Sequence, residues 1–157
     1  MGMQLQPRFD FIEAGDRTVL VCIDEPELQN VVIDQLAALG YKIHTGLFPE
    51  DIALKLKAQK YDVLIIYENF NNADLETNPV LAEVTAMPPA DRREQMVVLM
   101  GPNFATNNGM QAFEHSVDLV CALSEMMSLG PVLRRAVERR DAFYRNFKEC
   151  LAMASTI

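Results

Sequence analysis

Asp24, Glu25, Tyr67 and Glu68 are the side chains best placed for chemistry in this sequence. Each follows an apolar, β-branched run, "TVLVCI" (18–23) or "VLII" (63–66). The ends of buried strands are where an open α/β sheet carries its ligands. Carboxylates there suit a hard cation or a nucleophile, and Asp24 with Glu68 is the pair that could hold Mg²⁺ weakly. The preferred reading is acids at a helix start, where negative charge favours the helix dipole. Other reactive residues lack partners. His44 and His115 have no Cys or Asp at ligand spacing and read as ordinary surface or core histidines. Ser124 and Ser128 lack a GxSxG turn. "GPNFATNNG" after the fourth strand lacks the Lys-Ser/Thr end of a phosphate loop, so Gly101 reads as a turn glycine. Cys22, Cys121 and Cys150 form no CxxC pair and read as reduced, buried thiols.

The elements that position these residues alternate in period. Strand-like runs fall at 18–23, 41–47, 61–70, 96–101 and 117–123. Helix-like segments lie between them. Leu28, Val31, Val32, Leu36 and Leu39 share a helical face after Pro26, and Gly40 stops that helix. A second helix spans 48–60. A third follows Asn78 as N-cap and ends at Pro88 and Pro89. The fourth, 107–116, is weakened by Gly109. The fifth runs from about Ser128 to the end, with Leu133, Val137, Tyr144, Phe147 and Leu151 on one face. Five strands alternating with five helices predict an α/β domain with a parallel sheet and helices on both faces. Residues 1–16 read as an arm or linker, 17–157 as the domain, and 68–78 and 88–95 as polar loops.

Composition narrows the function. The 157 residues suit one domain, and half of them are hydrophobic. The net charge is −8, which argues against nucleic acid as a partner. No stretch reaches membrane-span length, and "MGMQLQPRFDF" lacks the basic and apolar regions of a secretory signal. A cytoplasmic location, no membrane contact and no cofactor are the expectations.

"TVLVCIDEPELQNVVIDQLAALGY" and "YDVLIIYENF" together resemble the receiver domain of bacterial response regulators, the CheY-like family, over about residues 17–150. The resemblance implies a doubly wound, flavodoxin-like sheet of order 2-1-3-4-5. It also implies phosphoryl transfer to an aspartate at the end of the third strand, with an acidic pair for Mg²⁺, a Ser/Thr and a Lys. Matched position by position, the acidic pair falls on Ile23 and Asp24, and the nucleophile on Tyr67. The Ser/Thr falls on Gly101 or Pro102, the Lys on Ala122, and the aromatic switch of the fifth strand on Leu119. Every position but Asp24 has lost its chemistry. A phenol forms no acyl phosphate. The chain therefore resembles a pseudo-receiver in a two-component or phosphorelay setting, with Tyr67 plugging the old pocket and its hydroxyl bonded to Asp24 or the backbone.

The last helix offers a different function. Six of the 14 Lys and Arg residues lie between Arg134 and Lys148. One reading is a solvated face paired with Glu138, Asp141 and Glu149. The sharper one is a docking face made by Arg135, Arg139, Phe143, Tyr144 and Phe147. It would take a homodimer or another protein through the fourth helix, fifth strand and fifth helix, as the resemblance implies. The expected function is a non-enzymatic signalling domain acting by protein contact. The rivals are an atypical receiver still using Asp24 and Glu68, and a small-molecule binder with loops 68–78 and 101–108 around its pocket.

Overall fold

The computed structural model describes residues 4–155. Residues 1–3 of the predicted arm and 156–157 of the predicted domain lie outside the described residues. Five parallel strands, β1 (Thr18–Cys22), β2 (Lys42–Thr45), β3 (Val63–Tyr67), β4 (Met96–Gly101) and β5 (Leu119–Ala122), form one sheet of order β2-β1-β3-β4-β5. This is the order that the resemblance implied. Side chains alternate across it. Val19, Val21, Val63, Ile65, Val98 and Cys121 enter one core, while Leu20, Cys22, Leu64, Ile66, Leu99 and Val120 enter the other. Both cores are apolar because crossover helices cover both faces.

Helices α1 (Pro26–Ala38) and α6 (Leu129–Ser155) cover the first face. Helices α2 (Pro49–Ala58), α3 (Pro79–Thr85) and α5 (Gly109–Glu114) cover the second. Their starts are chemically marked. Glu25 caps α1 by accepting from the Glu27 and Leu28 N–H groups, and Asn78 caps α3 through Val80 and Leu81. Gly40, at φ +88°, lets the chain leave α1, with Tyr41 N–H donating to Leu36 O at 3.1 Å.

Three expectations change. The segment 88–95 is not all loop: α4 (Pro89–Arg93) forms there, since Pro89 stops the preceding helix and also starts a new one. Cys150 is exposed, unlike Cys22 and Cys121, because it lies on α6 beyond the core. The arm residues 6–10 dock. Phe9 bridges antiparallel to His44, Thr45 N–H donates to Arg8 O at 2.8 Å, and Asp10 N–H donates to Ile43 O at 3.1 Å. The outer edge of β2 is thereby covered. His44, a buried histidine, bonds Tyr61 Oη and Asp10 O, both at 2.8 Å.

Only the first part of α6 is core. Leu129, Leu133 and Val137 are buried, whereas Phe143, Phe147 and Leu151 are 65, 45 and 55 % exposed. The helix has 27 residues and is about 40 Å long at 1.5 Å per residue. Among the described residues, no helix is long and apolar enough to cross a membrane.

Candidate functional site

Strand register gathers the carboxyl-edge residues. Cys22 pairs with Ile66, so Ile23 and Asp24 leave β1 beside the end of β3, and Gly101 pairs with Ala122. Tyr67 ends β3 opposite Met100. Ile23, Gly101 and Ala122 are buried, and an alkyl group stands where Ile23 turns inward.

Two of the acids at this edge, Asp24 and Glu25, are already engaged. Asp24 Oδ2 accepts the Asn71 N–H at 2.9 Å. Glu25 is the α1 cap, at 2.8 Å from Leu28 N. Asn78 donates to the carbonyls of Tyr67 and Glu68, both at 2.9 Å, which ties the strand end to the start of α3. Tyr67 is half-buried and packs against both cores. Burial pushes its phenol above the ordinary value, and the charges of Glu25, Asp24 and Glu68 push the same way. The expected bond from its hydroxyl to Asp24 is absent. Asn71, in a left-handed turn at φ 60°, takes the Asp24 oxygen, and no hydrogen bond reaches the Tyr67 hydroxyl among the described residues.

Glu68 is the residue that sequence reasoning placed but did not understand. It is one position past Tyr67, so it turns to the opposite face. There it is only 7 % exposed, and its Oε2 has no partner. Its carboxylate lies against Gly101, where a Cβ would overlap it, and the same Cβ would come within 2.9 Å of the Phe104 ring. Burial raises the Glu68 pKa, with His115 opposing. Asp24 and Glu68 thus face different neighbours. Among the described residues no three His, Cys, Asp or Glu side chains come together in a way that could hold a metal ion.

Comparison with solved structures gives the fold a family likeness. The receiver domain of a sensor histidine kinase from Pseudomonas aeruginosa, a structure with magnesium ion coordinated in the active site cleft, superposes with a TM-score of 0.61. The match covers 79 % of this chain and 99 % of that one, at 18 % identity. The signal receiver domain of a DNA-binding response regulator from Colwellia psychrerythraea gives 0.61 at 18 % identity, over 78 % of this chain and 99 % of its own. The chemotaxis response regulator CheY4 of Vibrio cholerae gives 0.59 at 14 % identity, over 77 % and 98 %. The chain has the receiver fold. At these identities the likeness is one of fold alone. No family model and no curated protein matches the sequence.

A second region lies away from the carboxyl edge. A groove of about 790 Å³ follows the outer side of β5, with α4 at one end and α6 as a wall. Of the five predicted interface residues, Arg139 and Tyr144 line it. Arg135 is exposed outside it, and Phe143 and Phe147 continue outward along α6. The sequence reading missed Arg92, Arg93 and Asp118 here. Their only signal was the Arg-Arg pair after Pro89, because the groove joins residues distant in sequence.

Proposed function

We propose that this chain is a non-enzymatic, receiver-like signalling domain that works by protein–protein contact and does not depend on phosphorylation. One observation carries the reading. Tyr67 ends β3, the strand matched by the resemblance to the one that carries a receiver's phosphoryl acceptor, and Asp24 and Glu25 beside it accept from backbone N–H groups. A phenol kept protonated by burial is a poor nucleophile and gives no acyl phosphate. Ile23 and Ala122 supply neither a ligand for Mg²⁺ nor a cation for the phosphoryl oxygens.

The contact surface of this reading is the side formed by α5, β5 and α6, which corresponds to the fourth helix, fifth strand and fifth helix of the sequence. Its support is the apolar stripe of α6 that outlasts the core. The rival phosphorelay reading needs Asp24 and Glu68 to act together, and they face different neighbours.

Intact-mass spectrometry after incubation with acetyl phosphate and Mg²⁺ tests the proposal. The expected result is an unchanged mass. Gain of one phosphoryl group, lost on hydroxylamine treatment as an acyl phosphate must be, would overturn it.

A further inference from the structure

Residues 6–10 lie along the outer edge of β2, and little of their hold on the domain is apolar. Phe9 and Phe11 are 70 and 78 % exposed. Hydrogen bonds do the holding. Arg8 N–H donates to Thr45 Oγ1 at 2.7 Å, Ile43 N–H donates to Asp10 Oδ2 at 2.9 Å, and Gln6 N–H donates to Oε1 of the buried Gln29 at 2.8 Å. One contact beneath them is of a different kind. His44, 2 % exposed, stacks on the Phe9 ring with centroids 3.8 Å apart, and joins the arm to the core through both of its ring nitrogens.

The two partners of the ring fix where its proton sits. Asp10 O is a carbonyl and only accepts, so His44 Nε2 carries the hydrogen. In the neutral ring Nδ1 is then a lone pair, and the Tyr61 hydroxyl donates to it at 2.8 Å. Tyr61 is 2 % exposed, and burial pushes its phenol up to about 12, so it keeps that hydrogen to give. A second proton on the ring undoes this arrangement. Nδ1–H would face the Tyr61 oxygen, and the hydroxyl hydrogen would have no acceptor among the described residues. The new charge would also sit out of water.

The groups around the ring do not compensate. Lys55 of α2 bonds Thr45 O and Asp51, and its ammonium lies 5.7 Å from the Phe9 ring, so a cation already stands beside the site. Asp10 is partly desolvated, yet hydrogen bonds from Arg8 and the Ile43 N–H hold its carboxyl below the ordinary value and occupy it. On β1, Leu20 is in register with His44, and burial pushes the Cys22 thiol up, which keeps it neutral. Imidazole is the side chain that changes charge between about pH 5 and 8. The docked arm therefore binds fewer protons than the released one, and docking weakens as pH falls.

We infer that residues 6–10 are a strap that His44 latches to the edge of β2 and lets go on taking up a proton, uncovering the main-chain groups of Ile43 and Thr45. An edge so opened is a template for another strand.

Amide hydrogen exchange, followed by NMR on the full chain at about pH 7 and about pH 5.5, tests this, with protection corrected for the intrinsic effect of pH. The Asp10 and Thr45 amides are expected to lose about tenfold or more of their protection at the lower pH, while Leu64 and Val98 in the central strands keep theirs. The ¹⁵N shifts of the His44 ring should show Nε2–H at neutral pH and should titrate together with that loss. H44Q keeps a donor at the Nε2 position and does not titrate, so its Asp10 and Thr45 amides should be equally protected at both pH values. Unchanged protection in the wild type, whether or not the ring titrates, would overturn the inference. So would an acid-induced loss that persists in H44Q, or one that takes Leu64 and Val98 with it. If H44Q does not fold, the wild-type comparison of ring and amides decides alone.

Discussion

The carboxyl edge of the sheet and the β5–α6 side both carry charge and aromatic rings, yet they treat them in opposite ways. At the edge, Asp24, Glu25 and Asn78 bond to nearby backbone groups, and Ile23 fills space with alkyl carbon. On the β5–α6 side, Arg92 is paired with Asp118, Arg93 and Arg139 have no ion-pair partner among the described residues, and Phe143 and Phe147 stand without a core. Asp24 and Glu25 spend their oxygens on backbone N–H groups and have little left to offer a ligand, while Glu68 Oε2 is buried without a partner. On the function proposed above, contact is made by the second region, although the fold by itself draws attention to the first.

The largest expected contrast lies within α6. Leu133→Ala removes a fully buried side chain and should cost about 2–5 kcal/mol of unfolding free energy. Leu151→Ala, at an exposed position of the same helix, should change stability by less than about 0.5 kcal/mol. Urea melts of the two variants measure both. Equal costs would mean that the outer half of α6 is packed within the chain, and the contrast between regions would weaken.

The closed edge should resist even small additions. Gly101→Ala places a methyl group on the Glu68 carboxylate and the Phe104 ring, for an expected loss of about 1–3 kcal/mol. The loss should shrink in a Glu68→Ala background, since the main obstacle is then gone. Asn78→Ala should cost about 1–2 kcal/mol by removing the α3 cap, and more if the two carbonyls it serves find no water. Chemical denaturation reads each value.

A smaller effect follows from Glu68 and depends on pH. Its pKa in the fold is raised above the ordinary 4.5 by burial. The fold therefore prefers the protonated acid. It bears no charge penalty below the unfolded pKa, and it loses stability as pH rises through the folded value. Glu68→Gln should accordingly gain stability relative to the native chain as pH goes from below 4.5 to neutral. Thermal melts across that range check the sign. A constant difference would mean that the carboxyl is solvated.

Much of the fold was legible because both cores are written as apolar runs. "VLII" and "MVVL" are short and rich in β-branched residues, as a strand covered on both faces requires. Pro26, Gly40 and Asn78 marked helix ends by chemistry that acts within a few residues. What stayed hidden depends on distance. The docking of residues 6–10 on β2 is made largely by backbone bonds, which leave little trace in side-chain pattern. Helix α4 was masked because Pro89 serves as both stop and start. At the edge, Tyr67 and Gly101 were readable through register and resemblance. The reason for the glycine was not, since it depends on the Glu68 side chain from the neighbouring strand. The groove was least legible, since α4, β5 and α6 each supply a part.

The central claim is that the carboxyl edge no longer responds to a phosphoryl group. Amide NMR during titration with Mg²⁺, then with beryllofluoride as a phosphoryl mimic, tests it most directly. The account predicts that the resonances of Asp24, Tyr67 and Gly101 stay in place through both additions. Shifts at those residues that spread to α5 and α6 would contradict it, and would return the chain to the phosphorylated receivers whose fold it shares.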